Sequence, residues 1–389
     1  METAVFDAGR VTTIAIGHWV HDSYTAFLAP LLVIFKQTLG LTNAEAGLLS
    51  VFMQEASLAQ PLIGGVADRF KARYFVILAP AVTAVMMSCL GIAPNYWVLA
   101  ILLTITGISS ACLHAVGPVM TGNVSGRKLG LGMSIWMVGG ESGRFVGPLV
   151  IGLALPVLTI QRSPWLMIGG LLASAALFFT LKEDGRRIKA ASGQEITWRQ
   201  MLHGKGKVVA ILIGFIIVHV FMSAALVTYL PILLHDQGES FWLASVSLSV
   251  LQAAGVVGAM VGGTLSDRLG RRWMLFAAVL PTSIFMFVFL VASSWARFPV
   301  LLILGFTSLS ITPVMMALVQ ESFPQNRALA NGFYMALSFL IRSLTVLLLG
   351  WLGDLFGLRL AFMVSAVVPL LGLPLLLLLP AKRTPQAAA

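Results

Sequence analysis

The chain has 389 residues, of which 58% are hydrophobic and only 10% are charged, and its mean hydropathy is +0.93. A soluble protein of this length could not bury so much apolar surface, so the composition predicts a membrane protein. The formal net charge of +10 could suit a nucleic-acid partner, but the distribution of the charges, described below, argues against one. The first apolar run extends beyond the length of a signal-peptide core, so no removable leader is expected.

The chain divides into long apolar segments. About 20 mainly apolar residues cross a bilayer as a helix. That rule predicts twelve transmembrane helices, numbered here as spans one to twelve, at 11–35, 45–67, 74–93, 96–121, 130–156, 164–181, 207–234, 242–265, 273–294, 298–320, 328–352 and 360–380. The expected fold is therefore an all-α polytopic bundle. Cys89 and Cys112 fall within spans and imply no disulfide framework.

One long polar segment, 182–207, separates span six from span seven. It predicts a cytoplasmic linker between an N-terminal six-helix bundle, 1–181, and a C-terminal one, 208–389. Most lysines and arginines fall in this linker and in the other segments on the same side. The opposite side holds Lys36, Arg162, Arg297 and Arg359. Because cytoplasmic loops are enriched in basic residues, both termini are expected in the cytoplasm, and the net charge is a topological signal.

The two halves carry matching motifs. GGVADRFKAR (64–73) ends span two and GGTLSDRLGRR (262–272) ends span eight, about 199 residues later. Other polar residues recur at about 198 residues: Gln54 and Gln252, His21 and His219, Arg144 and Arg342. These matches predict two pseudo-symmetric halves, an arrangement in which transporters place their substrate site near the middle of the membrane.

The repeated G-x-x-x-D-R-x-G-R-R pattern resembles the signature of the major facilitator superfamily. GHWVHDSYTAFLAPLL (17–32), LHAVGP (113–118) and SIWMVGGES (134–142) resemble its fosmidomycin-resistance group of drug exporters. That group commonly has asparagine where this chain has Glu141. The resemblance implies the major facilitator fold, alternating access, a monomer and a cell-membrane location, here a bacterial inner membrane.

Span five contains GGESGRFVGP (139–148), in which Gly139, Gly143 and Gly147 recur every four residues. Such a stripe predicts close packing against another helix. Glu141 and Arg144 lie off this stripe, so they are expected to face a central cavity rather than the packed helix. Charges within a membrane are costly and commonly functional. The pair is interpreted as a protonatable carboxylate controlled by a guanidinium, with a structural ion pair as the alternative.

Span one places His18, His21 and Asp22 on one helical face, a set suited to proton relay or substrate binding. The alternative is a polar lining of the outer vestibule. His114 in span four is a further candidate ligand or a hydrogen-bonded packing residue. Gly117-Pro118 is expected to break span four after His114 and free backbone carbonyls.

The remaining candidates are proposed proton-coupling, substrate-binding or gating residues. Glu55 is a third embedded carboxylate, which could carry a proton or pair with Arg342. His219, Gln252 and Arg342 are proposed to contact the substrate. The cytoplasmic helix ends predict a gate that alternately forms and breaks ion pairs, with these members: Asp68, Arg69, Asp267, Arg268, Arg271, Arg272 and Glu321.

The chain contains no phosphate-binding loop, nucleophile elbow or zinc-protease motif, so no enzymatic activity and no cofactor are expected. The leading hypothesis is a proton-coupled antiporter that exports a small amphiphilic or anionic compound, with the substrate, protons and the lipid bilayer as partners. The alternative is a transporter of a metal ion or metal chelate, with ligands His18, His21, Asp22, His114 and His219. A non-transporting receptor or lipid scramblase is the third class considered.

Overall fold

The computed structural model describes residues 6–59, 73–181, 205–323 and 327–378, and the regular structure in these ranges is helical. The first half contains α1 (Ala8–Thr25), α2 (Leu28–Leu39), α3 (Asn43–Glu55), α4 (Arg73–Cys89), α5 (Tyr96–Ser125), α6 (Leu129–Leu158) and α7 (Met167–Thr180). The second half contains α8 (Gly206–Ala224), α9 (Leu230–Asp236), α10 (Phe241–Leu269), α11 (Arg271–Val291), α12 (Arg297–Leu309), α13 (Ile311–Ser322), α14 (Arg327–Phe356), α15 (Leu358–Val367) and α16 (Leu373–Leu377).

Nine helical stretches of the described chain are long and apolar enough to cross a membrane, judged by length and composition. Three features account for the difference from the twelve predicted spans. Span one is divided at Ala26 and Phe27, and span two is described only as far as Ala59. Spans four and five join in one helical stretch, Tyr96–Leu158. The all-α polytopic fold is confirmed, and described helix ends lie within about four residues of the predicted ones.

Local chemistry explains where several helices begin and end. The Asp7 side chain accepts a hydrogen bond from the backbone N–H of Arg10 and caps α1. Thr42 and Glu45 form a reciprocal capping box at the start of α3. Gly40 ends α2 with φ 64°, a left-handed conformation that glycine adopts without strain. These caps position the ends of the first apolar segments independently of the bilayer.

The glycine stripe of α6 packs directly on the backbone of α1. A side chain at Gly139, Gly143 or Gly147 would overlap a backbone carbonyl of α1, and the three carbonyls concerned also recur every four residues: Ala15, Trp19 and Ser23. The predicted close packing is therefore observed, and its partner is α1. Because the two backbones approach so closely, long side chains beside the stripe can reach groups on α1.

The predicted break in span four is wrong. Helix α5 continues without interruption through Gly117 and Pro118 to Ser125. Pro118 lacks an N–H and so cannot donate to the carbonyl of His114, but the flanking turns hold the helix together. The missing side chain at Gly117 serves packing instead, since a Cβ there would overlap the Trp136 indole of α6.

The chain forms two compact units. One comprises Met1–Ser192 and Pro231–Ser249, and the other comprises Gly193–Leu230 and Val250–Ala389. Polar contacts explain why the short segment groups with the first unit. Lys36 Nζ lies 2.7 Å from Asp236 Oδ2, and Gln37 Nε2 lies 2.7 Å from His235 Nε2.

Candidate functional site

The first unit contains a buried polar cluster around Asp22 of α1, whose side chain is 3% exposed. Its nearest cationic partner is Arg144 of α6, with Nε 3.2 Å from Asp22 Oδ2. His18 Nε2 lies 3.5 Å from the same oxygen. His114 Nε2 and His21 Nε2 lie 3.9 and 4.0 Å from Asp22 Oδ1. The structure thus brings together five of the predicted site residues: His18, His21, Asp22, His114 and Arg144.

Arg144 bridges two carboxylates. Its Nη1 donates to Glu141 Oε1 at 3.0 Å, while its Nε donates to Asp22. The expectation that Arg144 turns away from the helix packed on the glycine stripe is wrong. Because Gly143 has no side chain, α1 packs so close to α6 that the neighbouring Arg144 side chain reaches Asp22. Glu141 is more accessible than Asp22, because its side chain is 22% exposed.

The hydrogen bonds of two histidines determine which ring nitrogens face each other. His18 Nδ1 lies 3.0 Å from the carbonyl oxygen of Trp136, and His114 Nδ1 lies 2.9 Å from that of Ser110. A carbonyl oxygen only accepts, so both Nδ1 atoms carry hydrogen. The two Nε2 atoms therefore direct lone pairs toward each other at 3.2 Å. Beside the Asp22 carboxylate, this arrangement favours a proton or another cation between the rings.

The orientation of the His18 ring is built into the packing. The ring stacks on the Trp136 indole, with centroids 3.8 Å apart and planes at 17°. A Cβ at Gly140 would overlap the His18 imidazole on the same helix face. Glycine at 140 and Trp136 together therefore leave room for His18 and hold its ring.

His21 belongs to a separate hydrogen-bond chain. Its Nδ1 lies 2.9 Å from the Thr83 hydroxyl, which donates to the Ser109 hydroxyl at 3.2 Å. Ser109 in turn donates to the Ala79 carbonyl at 3.3 Å. This series of hydrogen bonds gives the Nδ1 atom of the fully buried His21 imidazole a partner.

The other predicted substrate and proton sites lie outside this cluster. Glu55 is exposed at the end of α3, and Gln252 is buried on α10. His219 belongs to the second unit, where its Nδ1 lies 3.0 Å from the Phe215 carbonyl of its own helix. Arg342 Nη1, also in the second unit, lies 3.4 Å from the Ser223 hydroxyl.

Part of the predicted gate forms a cluster in the second unit. Arg271 Nη2 lies 2.6 Å from Asp267 Oδ1 and 2.7 Å from Glu321 Oε1. Arg272 Nη1 donates to the Leu377 carbonyl at 3.4 Å. Asp68 and Arg69 lie outside the described residues, and Arg268 follows Asp267 near the end of α10. The structure therefore joins Glu321 to Asp267 of the repeated D-R motif through Arg271, and the gating role of this cluster stays a prediction.

Sequence reasoning missed the residues that orient the histidines. Trp136 lies one turn before the Gly139-Gly140 pair, and a tryptophan at this spacing from two glycines within an apolar span was the available signal. Thr83, Ser109 and Ser110 are single hydroxyls in apolar helices. Their roles depend on helices that are distant in sequence, so no local pattern marks them.

A metal ion could be held by part of the cluster. Among the described residues, His18, Asp22 and His114 offer ligand atoms that all lie within 4.8 Å of one another. His21 and His219, the other members of the predicted metal set, do not belong to this group. The arrangement can bind a cation, exchange a proton or contact a charged solute.

The fold and the embedded charges define a polytopic transporter, and the chain belongs to the major facilitator superfamily. The model of that family matches residues 14–268 and 245–389. Its proteins are transporters, so this chain is a multi-pass membrane protein that acts as a secondary transporter and not as an enzyme.

Two curated relatives span nearly the whole chain. The fosmidomycin resistance protein of Escherichia coli (strain K12) is 23% identical over 370 residues, covering 94% of this chain and 91% of that protein. The uncharacterized MFS-type transporter YfnC of Bacillus subtilis (strain 168) is 26% identical over 385 residues, covering 92% and 90%. The resemblance to the fosmidomycin-resistance group is thereby confirmed.

A solved structure has a similar fold. A bacterial homolog of the human lysosomal transporter Spinster, in an inward-facing and unoccupied conformation, matches with a TM-score of 0.80 at 15% identity. The match covers 95% of both chains. At this identity the likeness concerns the fold alone.

Proposed function

We propose that this protein is a proton-coupled antiporter that exports a small amphiphilic compound by alternating access. The observation that supports the proposal is the sharing of Arg144 between the buried Asp22 and the more exposed Glu141. Two carboxylates and one guanidinium leave the trio with one net negative charge. A proton on Glu141 removes that charge, which an apolar environment favours.

The two carboxylates have different surroundings and are assigned different roles. Asp22 is almost completely buried and has Arg144 and His18 within 3.5 Å, so it serves as the fixed counter-ion. Glu141 is 22% exposed, which allows solutes and protons to reach it. We therefore assign the exchangeable proton to Glu141, with Arg144 as the group that responds to it.

Antiport requires the substrate and the proton to compete for one group. A compound that presents a hydrogen-bond donor or a positive charge competes with the proton for the Glu141 carboxylate. An anionic group would instead bind Arg144 after Glu141 is protonated, and so would bind together with the proton. The expected substrate is therefore amphiphilic with a donor or cationic group, and an anionic substrate would reverse the direction of coupling.

The test is transport by purified protein in liposomes with an imposed pH gradient. The probes are a lipophilic cationic dye and fosmidomycin, the compound in the name of the E. coli relative. We expect at least one of these two probes to move against the proton flux in the wild-type protein. Glu141→Gln should abolish the gradient-driven movement, because the amide carries no exchangeable charge, while the protein remains folded.

Glu239→Gln, at a half-buried loop carboxylate outside the cluster, is the control and should transport like the wild type. Undiminished gradient-driven transport by Glu141→Gln would exclude the assigned role. Movement of fosmidomycin in the same direction as the protons would show symport of an anion and overturn the antiport proposal.

Topology and assembly are part of the same proposal. We propose that both termini lie in the cytoplasm of a bacterial cell and that the protein works as a monomer in the inner membrane. Residues 1–181 and 208–380 would move alternately to open the substrate site to each side of the membrane. The Arg271 cluster would take part in gating. A fluorescent protein fused to the C-terminus should mature only if that terminus is cytoplasmic.

A further inference from the structure

We propose that His18, Asp22 and His114 form a binding site for a divalent transition-metal ion of the zinc type. The site occupies the buried side of the cluster, whereas the proposed proton exchange occurs at Glu141. The metal site does not rest on antiport, and it would exist in a protein that exchanged no protons.

The spacing of the ligand atoms fits a tetrahedral ion. Two nitrogens that each lie about 2.0–2.1 Å from a tetrahedral zinc ion are roughly 3.3 Å apart. His18 Nε2 and His114 Nε2 are 3.2 Å apart. The third ligand is close to the same spacing from His18, since Asp22 Oδ2 lies 3.5 Å from His18 Nε2. It is farther from His114, whose Nε2 lies 3.9 Å from Asp22 Oδ1. The carboxylate would therefore move toward His114 to bring one oxygen within bonding distance of the ion.

The histidines are already in the tautomer that binds metal. Both Nδ1 atoms donate to backbone carbonyls, those of Trp136 and Ser110, and both Nε2 lone pairs converge. A ligating histidine nearly always donates its other ring nitrogen in this way, which sets the tautomer and the ring orientation. An ion between the rings would replace an unfavourable approach of two lone pairs with two coordinate bonds.

The donor set and the charges select the kind of ion. Imidazole nitrogens favour zinc, copper, nickel and cobalt over magnesium and calcium, which prefer oxygen ligands. The Arg144 guanidinium contacts Asp22 and would repel a cation, but its charge is neutralised by Glu141, whose Oε1 lies 3.0 Å from Nη1. The charged groups nearest the site therefore retain one net negative charge, that of one carboxylate.

The site is rigid on one side and accessible on the other. Trp136 and Gly140 hold the His18 ring, whose side chain is only 4% exposed. The His114 side chain is 26% exposed. That edge provides a route for the ion and a position for water as the fourth ligand, as in zinc sites that keep one position open.

Cobalt(II) and zinc(II) are the probes for this site, added separately to metal-free purified protein in detergent. Bound cobalt should give the visible absorption bands of a tetrahedral complex, and zinc should displace it at a stoichiometry of about one ion per chain. His18→Ala and His114→Ala should each remove the bands. The affinity of each variant for zinc should fall by more than the 10–100-fold that is lost when a residue hydrogen-bonded to a metal ligand is removed.

His219→Ala is the matched control. His219 is also buried, donates Nδ1 to a backbone carbonyl and stacks on an aromatic ring, that of Phe215, at 5.2 Å. It lies in the other unit, so the cobalt bands should persist. Glu141→Gln leaves all three metal ligands in place, so the bands should persist at a weaker affinity, because Arg144 loses the partner that neutralises it. Loss of proton-driven transport with the bands retained separates this proposal from the proposed function.

His114→Cys restores a metal ligand at the more exposed position and covers the case in which His18→Ala fails to fold. It should bind cobalt with bands shifted by the thiolate. The proposal is overturned if the wild-type protein shows no tetrahedral cobalt bands. It is equally overturned if folded His114→Ala binds zinc as tightly as the wild type.

Discussion

The two units carry arginines at corresponding places in the sequence, Arg144 and Arg342, about 198 residues apart, but surround them differently. Arg144 lies between two carboxylates, those of Asp22 and Glu141. At the same offset the second half has Val220 and Phe339. Arg342 has the Ser223 hydroxyl 3.4 Å away. The repeat therefore keeps a cation in both halves, while the acidic residues at positions 22 and 141 correspond to Val220 and Phe339 in the second half.

The packing beneath the arginines differs in the same way. Gly143 lets α6 approach the α1 backbone, whereas Ile341 occupies the corresponding place in α14. Close approach is what brings a side chain of α6 within reach of Asp22. The acidic cluster and the glycine stripe therefore depend on each other, since both are needed to bring Arg144 into contact with Asp22.

Asp22→Ala tests the acidic half of this difference and should have the largest effect. Removing the carboxylate leaves the Arg144 Nε–H without its acceptor, although Glu141 still neutralises the guanidinium. Because the donor is charged, this costs about 3 kcal/mol. Equilibrium unfolding in detergent measures the loss. Ser223→Ala beside Arg342 removes a single hydroxyl and should cost about 1 kcal/mol.

The double variant Asp22→Ala/Arg144→Met provides the control for charge. It should recover part of the lost stability, because methionine has no N–H to leave without an acceptor and the partly exposed Glu141 can be hydrated. If Asp22→Ala and Ser223→Ala lowered stability equally, the proposed contrast between the two units would be refuted.

Gly143→Ala tests the packing half and should have an intermediate effect. The new methyl group would overlap the Trp19 carbonyl, and overpacking of this kind costs about 1–3 kcal/mol. Gly130→Ala, on the same helix with open space around the new Cβ, should gain up to about 1 kcal/mol from helix propensity. Thermal unfolding of the two variants should therefore shift in opposite directions, and a shared direction would contradict the packing argument.

Lys36→Gln should have the smallest effect and extends the comparison to the helix ends. Lys36 pairs with Asp236 in the first unit, and the two side chains are 23% and 43% exposed. Exposed pairs contribute about 0–1 kcal/mol and weaken with salt. Arg271→Gln should lower the stability of the protein more, because Arg271 has two acidic partners in the second unit. Unfolding of the two variants is measured at low and high salt, and a larger loss of stability for Lys36→Gln would contradict this ranking.

Much of the fold was predictable because its signals are local. Apolar length located the helices, since a span needs a continuous run of residues that tolerate hydrocarbon. The glycine stripe was also readable, because a spacing of four residues places small side chains on one helix face. The D-R motif at the end of α10 indicated charged residues at a helix end, where Arg271 contacts Asp267 and Glu321. Their role as a gate stays a prediction.

The predictions failed where a helix had to be placed relative to its neighbours. Gly117-Pro118 suggested a break in α5, yet packing against Trp136 gives the glycine another purpose. Arg144 was expected to avoid α1, yet its side chain crosses to Asp22. Both errors come from assigning a local role to a residue whose partner is far away in the chain.

Apolar length and charge distribution in the sequence were enough to define the class of protein, the approximate helix ends and the charged residues that an apolar environment makes costly. The tertiary structure alone decided that Asp22 meets Arg144, that His18 meets His114 and that both rings point Nε2 inward. The physical reason is that hydropathy and helix period act over a few residues. Side-chain contacts between helices depend on their relative rotation and depth, which are set by packing.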